Sequence, residues 1–168
     1  MAHYFHIFSI FSLLILNPIS SGNGKTPAEI ISAINSDCLI NIDSEFDYFQ
    51  ISTACQKIKK QANVLIRINP NIDPLVHEYN TTGSGKSCKF GVLQPDIIKM
   101  AKLISENENL VLKGIHCHLG STIDKLEPIR KCATRLKKII EGKSEKGNIC
   151  ASILRQNLCI FTPKFYFF

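Results

Sequence analysis

From residue 38 to residue 141 the chain alternates three times between a short apolar run of strand length and a longer amphipathic stretch. Residues 38–43 (CLINID) predict a strand, followed by Ser44 at a helix N-cap position. Glu45 and Asp47 fall in the first turn, where carboxylates favour the helix dipole, and the helix is expected to run to about Gln61. Residues 63–69 (NVLIRIN) predict a second strand, stopped by Pro70; a polar loop with Pro74, Gly83 and Gly85 follows. A second helix is expected over 94–107, with Pro95 near its first turn and Ile97, Ile98, Ala101 and Ile104 at helical spacing. Residues 109–116 (NLVLKGIH) predict a third strand, and 127–141 a third helix with Pro128 at its start and Gly142 past its end. Alternation of this kind predicts an α/β fold, a parallel sheet whose crossovers are helices. Three units cannot close an eight-stranded barrel, which leaves a small open α/β domain or part of a barrel.

A length of 168 residues and 45% hydrophobic content fit a packed domain and exclude a disordered chain. With a net charge of +6, many of the basic residues fall in two places, Lys57, Lys59 and Lys60 and Arg130, Lys131, Arg135, Lys137 and Lys138. These lie among apolar residues at helical spacing and read as solvated helix faces; no aromatic interleaving or recognition motif points to nucleic acid. The seven cysteines (Cys38, Cys55, Cys88, Cys117, Cys132, Cys150, Cys159) are odd in number and form no C-x-x-C pair, which reads as reduced thiols in a reducing compartment. The N-terminus points elsewhere. Residues 4–16 (YFHIFSIFSLLIL), ended by Pro18 and small residues, have the form of a signal-peptide core yet lack the Lys or Arg of its leading region. Secretion signal, buried strand and translated non-coding sequence all stay open for this run. The three segments expected are 1–21, 22–146 and a divergent tail at 147–168.

His116 and His118 stand two apart at the end of the third strand, so period-two geometry puts both on one face and Cys117 on the other. Gly120-Ser121 follows at the strand-to-loop turn, offering an amide and a hydroxyl to an anion. Metal ligation by the two imidazoles, contact of one imidazole with an aromatic cofactor while Ser121 meets a phosphate, and two histidines satisfied by neighbouring groups remain three open readings. Gly83-Ser84-Gly85-Lys86-Ser87 is not a phosphate loop, because Asn80 stands where the first glycine is required and no apolar strand leads in. Arg67 is a charge inside an apolar strand, and a buried guanidinium must meet a carboxylate, a phosphate or another acceptor. Asn80-Thr81-Thr82 fits a glycosylation sequon, which matters only in a secreted chain.

In order and at about its spacing, several stretches resemble the diaminopimelate decarboxylase family, closest to its plant-type members. They are Gly22-Asn-Gly-Lys25, Asn41-Ile-Asp-Ser-Glu-Phe-Asp47, Arg67-Ile-Asn-Pro-Asn-Ile-Asp-Pro74, His77-x-Tyr79 with Thr82-Gly83, Lys89-Phe-Gly91 and Gly114-Ile-His-Cys-His-Leu-Gly-Ser121. The full His-x-His-x-Gly-Ser context favours this family over the related ornithine and arginine decarboxylases. The resemblance implies part of a (β/α)8 TIM barrel of the alanine racemase-like type, about three consecutive βα units, without the β-rich C-terminal domain. It implies pyridoxal 5'-phosphate as cofactor, meso-diaminopimelate as the amino-acid substrate converted to lysine and carbon dioxide, a homodimer, and a plastid or the cytoplasm as compartment. His118 would lie against the pyridine ring, Ser121 would bond the phosphate, and Arg67 would sit in the barrel interior near the cofactor, with His116 behind them. The family's Schiff-base lysine lies in a Tyr-x-x-Lys-Ala stretch before Gly-Asn-Gly-Lys; here the run 4–16 stands in its place, and the glycine-triplet, Gly-Glu-Pro-Gly-Arg and Cys-Glu segments have no match either. No catalytic residue is therefore assigned. The expectation is a fragment of the decarboxylase from a truncated gene product, inactive alone. A metal-dependent barrel hydrolase using His116 and His118, and a non-catalytic decoy of the full enzyme, are the alternatives.

Overall fold

Ser44 closes a helix N-terminus with its side chain where the sequence pattern places a cap, and the same device opens one unit earlier than that pattern suggests. The computed structural model describes residues 18–22, 24–72, 90–119, 126–140 and 158–161, the last four by backbone alone. After a two-residue strand β1 (Ile19–Ser20), Thr26 and Glu29 form a reciprocal capping box, with Pro27 as the first residue of α1 (Pro27–Asn35). Strand β2 (Leu39–Ile42) leads to Ser44, whose hydroxyl accepts from the Asp47 amide at 3.3 Å and caps α2 (Glu45–Ile58). Lys59, at φ 55°, ends that helix in the left-handed conformation and turns the chain into β3 (Ala62–Ile68). One 3₁₀ turn at Gln94–Asp96, containing Pro95, precedes α3 (Ile97–Ser105); β4 (Leu110–Cys117), α4 (Leu126–Ile140) and β5 (Leu158–Phe161) complete the order.

The five strands form one parallel sheet in the sequential order β1-β2-β3-β4-β5, and among the described residues an α-helix stands in each crossover. A doubly wound sheet would reverse its strand order partway; a sequential order is the course of a barrel wall. The sheet is wider than the three expected units. It takes a strand from each flanking segment, and the sequence pattern does not show them because both, IS and LCIF, are too short for an alternation.

The two faces differ chemically. Ile40, Ile42, Val64, Ile66, Ile68, Ile115 and Cys117 belong to one core cluster with Ile30 of α1, Ile51 of α2, Met100 of α3 and Leu136 of α4. The four described helices therefore cover the same face. The alternate residues, Leu39, Asn41, Leu65, Arg67 and His116, are buried but face away from that core. A bulge keeps this alternation in phase: Val64 pairs with Leu112 while Leu65 pairs with Gly114, leaving exposed Lys113 as the extra residue. Among the described residues no helix is long and apolar enough to cross a membrane.

Candidate functional site at the strand ends

Parallel strands all end on the same rim, and the polar residues of the inner face gather there. Asp43 follows β2 directly, Arg67 is the penultimate residue of β3, and His116, penultimate in β4, is in register with Arg67. In a barrel this C-terminal mouth is where loops and strand ends build sites.

Arg67 finds the carboxylate that its burial demands. Its guanidinium donates to Asp43 Oδ2 at 2.8 Å, across one strand spacing. Lys25, in the β1–α1 loop, lies 3.3 Å from Asp47 Oδ1 and 3.9 Å from Asp43 Oδ1, and Asp47 Oδ2 accepts from the Asp43 amide at 3.0 Å. Two cations and two carboxylates thus form one buried cluster of zero net charge. Burial pushes Asp43 above its usual carboxylate range, and the Asp47 charge adds to this; Arg67 and Lys25 oppose it without reversing it. The Phe90 ring lies 5.2 Å from the guanidinium carbon, so the cation is also covered by an aromatic face. Phe90 reaches that place because Val92 adds to the end of β3, its amide donating to Arg67 O at 2.7 Å and its carbonyl accepting from Asn69 N at 3.1 Å. Gly91 makes the approach possible: its φ is 84°, and a Cβ there would lie 2.9 Å from Asn69 N.

A neutral group sits beside the ionic one. The Asn41 amide nitrogen is 2.9 Å from His116 Nδ1 and donates to Ser21 Oγ at 2.9 Å. With Asn41 donating to Nδ1, the neutral ring carries its proton on Nε2. Burial, with the Arg67 and His118 charges next, lowers the His116 pKa from 6.5 to about 4. His116 is therefore a neutral imidazole at physiological pH.

The three residues named from the sequence divide as follows. Arg67 lies on the face of the sheet away from the helices and is paired with a neighbouring strand end. His118 is half-buried and close enough to His116 to act on its charge. Ser121 lies outside the described residues, as do Gly120, the Gly83–Ser87 stretch, the 80–82 sequon and the run 4–16. Sequence reasoning missed Asn41, Asp43 and Lys25. The signal was available in CLINID, where Asn41 and Asp43 interrupt an apolar run at alternate positions. No group of three or more His, Cys, Asp or Glu side chains suited to a metal ion occurs among the described residues, so the hydrolase reading gains no support.

Residues 18–153 match the family model described as the pyridoxal binding domain of pyridoxal-dependent decarboxylases. Over 130 residues, 77% of this chain, it is 44% identical to a rice (Oryza sativa subsp. japonica) protein named probable diaminopimelate decarboxylase, chloroplastic, covering 26% of that protein. A crystal structure of Helicobacter pylori diaminopimelate decarboxylase, solved with L-lysine, superposes with a TM-score of 0.73 at 27% identity, over 86% of this chain and 44% of that one. An alanine racemase from Clostridium difficile shares the fold alone, with a TM-score of 0.56 at 15% identity over 94% of this chain and 35% of that one. The chain spans about a quarter of the length of the rice relative and under half of the H. pylori chain. Set against the pyridoxal group of that family, the described residues fit in part. Buried polar atoms without a hydrogen-bond partner among them (Lys25 Nζ, Asn41 Oδ1, Asp43 Oδ1) line the face, but its buried lysine is committed to two carboxylates. With the sequential parallel sheet, the polar strand-end site and the match over 18–153 in agreement, the chain belongs to the pyridoxal-dependent decarboxylases and carries part of their pyridoxal-binding barrel.

Proposed function

We propose that this chain is a portion of a diaminopimelate decarboxylase that carries one wall of the cofactor site and does not decarboxylate by itself. The observation that carries this reading is the state of Lys25. Among the described residues it is the buried lysine of the polar face, and it is spent neutralising Asp43 and Asp47. Pyridoxal phosphate, when bound in such an enzyme, supplies an electron sink for the charge left behind by departing carbon dioxide. On this chain His118 would lie against its ring, Ser121 would bond its phosphate, and Arg67 would set the charge of the interior beside it. His116, held by Asn41, would support His118 from below. The complete enzyme would act on an amino-acid substrate, meso-diaminopimelate, as a homodimer in a plastid or the cytoplasm.

The test is purified chain with pyridoxal phosphate and meso-diaminopimelate, followed by carbon dioxide release. No release is expected, and borohydride treatment should leave no covalently retained cofactor. Turnover, or a borohydride-fixed adduct on Lys25, would overturn the proposal.

A further inference from the structure

Behind the polar face, on the helix side of the sheet, two thiols meet. Cys117 lies in β4 between His116 and His118, and Cys132 lies on the buried side of α4; their sulfurs are 3.3 Å apart and both residues are wholly buried. We propose that Cys117 and Cys132 form an oxidisable dithiol, closing to a disulfide that ties the strand end beneath the two histidines to α4.

The geometry requires little movement. A disulfide bond is about 2.05 Å long, so the sulfurs must approach by roughly 1.2 Å, shared between two side chains. The hydrogen bond from Cys117 lowers the Cys132 thiol below its usual range, against burial, and Arg135, one turn further along α4, acts in the same direction. Cys132 is therefore the attacking sulfur. With a hydroperoxide as oxidant, the Cys132 thiolate takes the terminal oxygen and releases an alcohol, or water from hydrogen peroxide, giving a sulfenic acid. Cys117 sulfur then displaces that hydroxyl, which leaves as water with the Cys117 proton. Two thiols and one hydroperoxide give one disulfide, one alcohol and one water. Burial makes access to the oxidant depend on opening of α4 from the sheet, so the reaction is slow in the native chain. The closed bond would bridge the stretch that contains His118 and Ser121, so the state of the dithiol would act on the cofactor wall from behind.

Peptide mapping decides the matter. The full 168-residue chain is exposed to hydrogen peroxide, its remaining thiols are blocked with N-ethylmaleimide, and it is cut with trypsin. The expected product is the peptide 114–125 joined to the peptide 132–135, two hydrogens lighter than their sum. It should dominate over every other cysteine pairing in native buffer and lose that preference in denaturant. In Cys132→Ser the cross-link disappears and Cys117 stays open to alkylation. If that variant does not fold, the native-versus-denatured comparison on the unaltered chain still decides. Recovery of both residues as blocked thiols after oxidation, of Cys117 joined to a different cysteine, or of either as an unpaired sulfinic acid overturns the proposal.

Discussion

His116 should make the fold acid-sensitive in a window that can be placed in advance. Its pKa falls from 6.5 to about 4 on folding, chiefly because the ring is buried. The folded state prefers the neutral ring, so the unfolded chain takes up a proton as pH drops through 6.5 and the folded chain only near 4. Stability from this group is fully present above 6.5, is lost between 6.5 and about 4, and is constant below. At about 1.36 kcal/mol for each pKa unit, the loss across that window is about 3 kcal/mol. Asp43 works in the other direction: its pKa is raised by folding, so its contribution is largest at low pH and declines as pH rises above 3.8. A single acid titration would mix the two. Comparing the unaltered chain with His116→Gln removes the mixture, because the Asp43 term is common to both. Urea denaturation of each between about pH 7 and about pH 4 should show the His116 chain losing the extra ~3 kcal/mol and the Gln variant losing only the remainder. Ring-proton resonances followed by NMR should place the His116 midpoint near 4. Equal pH slopes in the two chains, or a midpoint at 6.5 in the folded protein, would refute the burial argument.

Arg67→Met leaves Asp43 buried with Lys25 3.9 Å away as its remaining cation, and should cost about 3–5 kcal/mol in urea denaturation. Adding Asp43→Asn should return part of that, since the uncompensated charge is then gone; a double variant as unstable as the sum of the singles would show that no coupling existed. Gly91→Ala combines a φ of 84° with a Cβ 2.9 Å from Asn69 N, so strain of about 1–3 kcal/mol and a displaced Val92 bridge should lower the thermal midpoint by several degrees. An unchanged midpoint would mean that the Val92 contact is not held.

Elements with a strong local signal were legible in the sequence. The three strands and three helices read from periodicity occur within a few residues of their expected limits, and Ser44 caps α2 as its position suggests. The helix expected from Gln94 begins as a single 3₁₀ turn, with α-geometry only from Ile97. The polar network was not legible, because its members come from four separate stretches. Lys25, Asn41, Arg67 and His116 become neighbours only through parallel register, and register depends on pairing rather than on local sequence. Arg67 was recognised as needing an acceptor, but nothing local distinguishes Asp43, 24 positions earlier, from any other carboxylate. Phe90 was hidden differently: its place over the guanidinium follows from the glycine after it.

The division of the inner face into an ionic and a neutral group also bears on what this chain can do with a carbonyl cofactor. Attachment through an amine would withdraw Lys25 from the two carboxylates it bridges. Its charge, with that of Arg67, balances Asp43 and Asp47 in a site screened from water. Withdrawing Lys25 would leave two buried carboxylates facing one guanidinium, and an uncompensated charge of that kind costs several kcal/mol. Protonating Asp43 in compensation would weaken its 2.8 Å bond with Arg67, whose own burial depends on it. Each route to a reactive Lys25 therefore dismantles the cluster that holds Arg67 in place beside His116. A lysine able to anchor the cofactor on this wall must come from a position outside the balanced set.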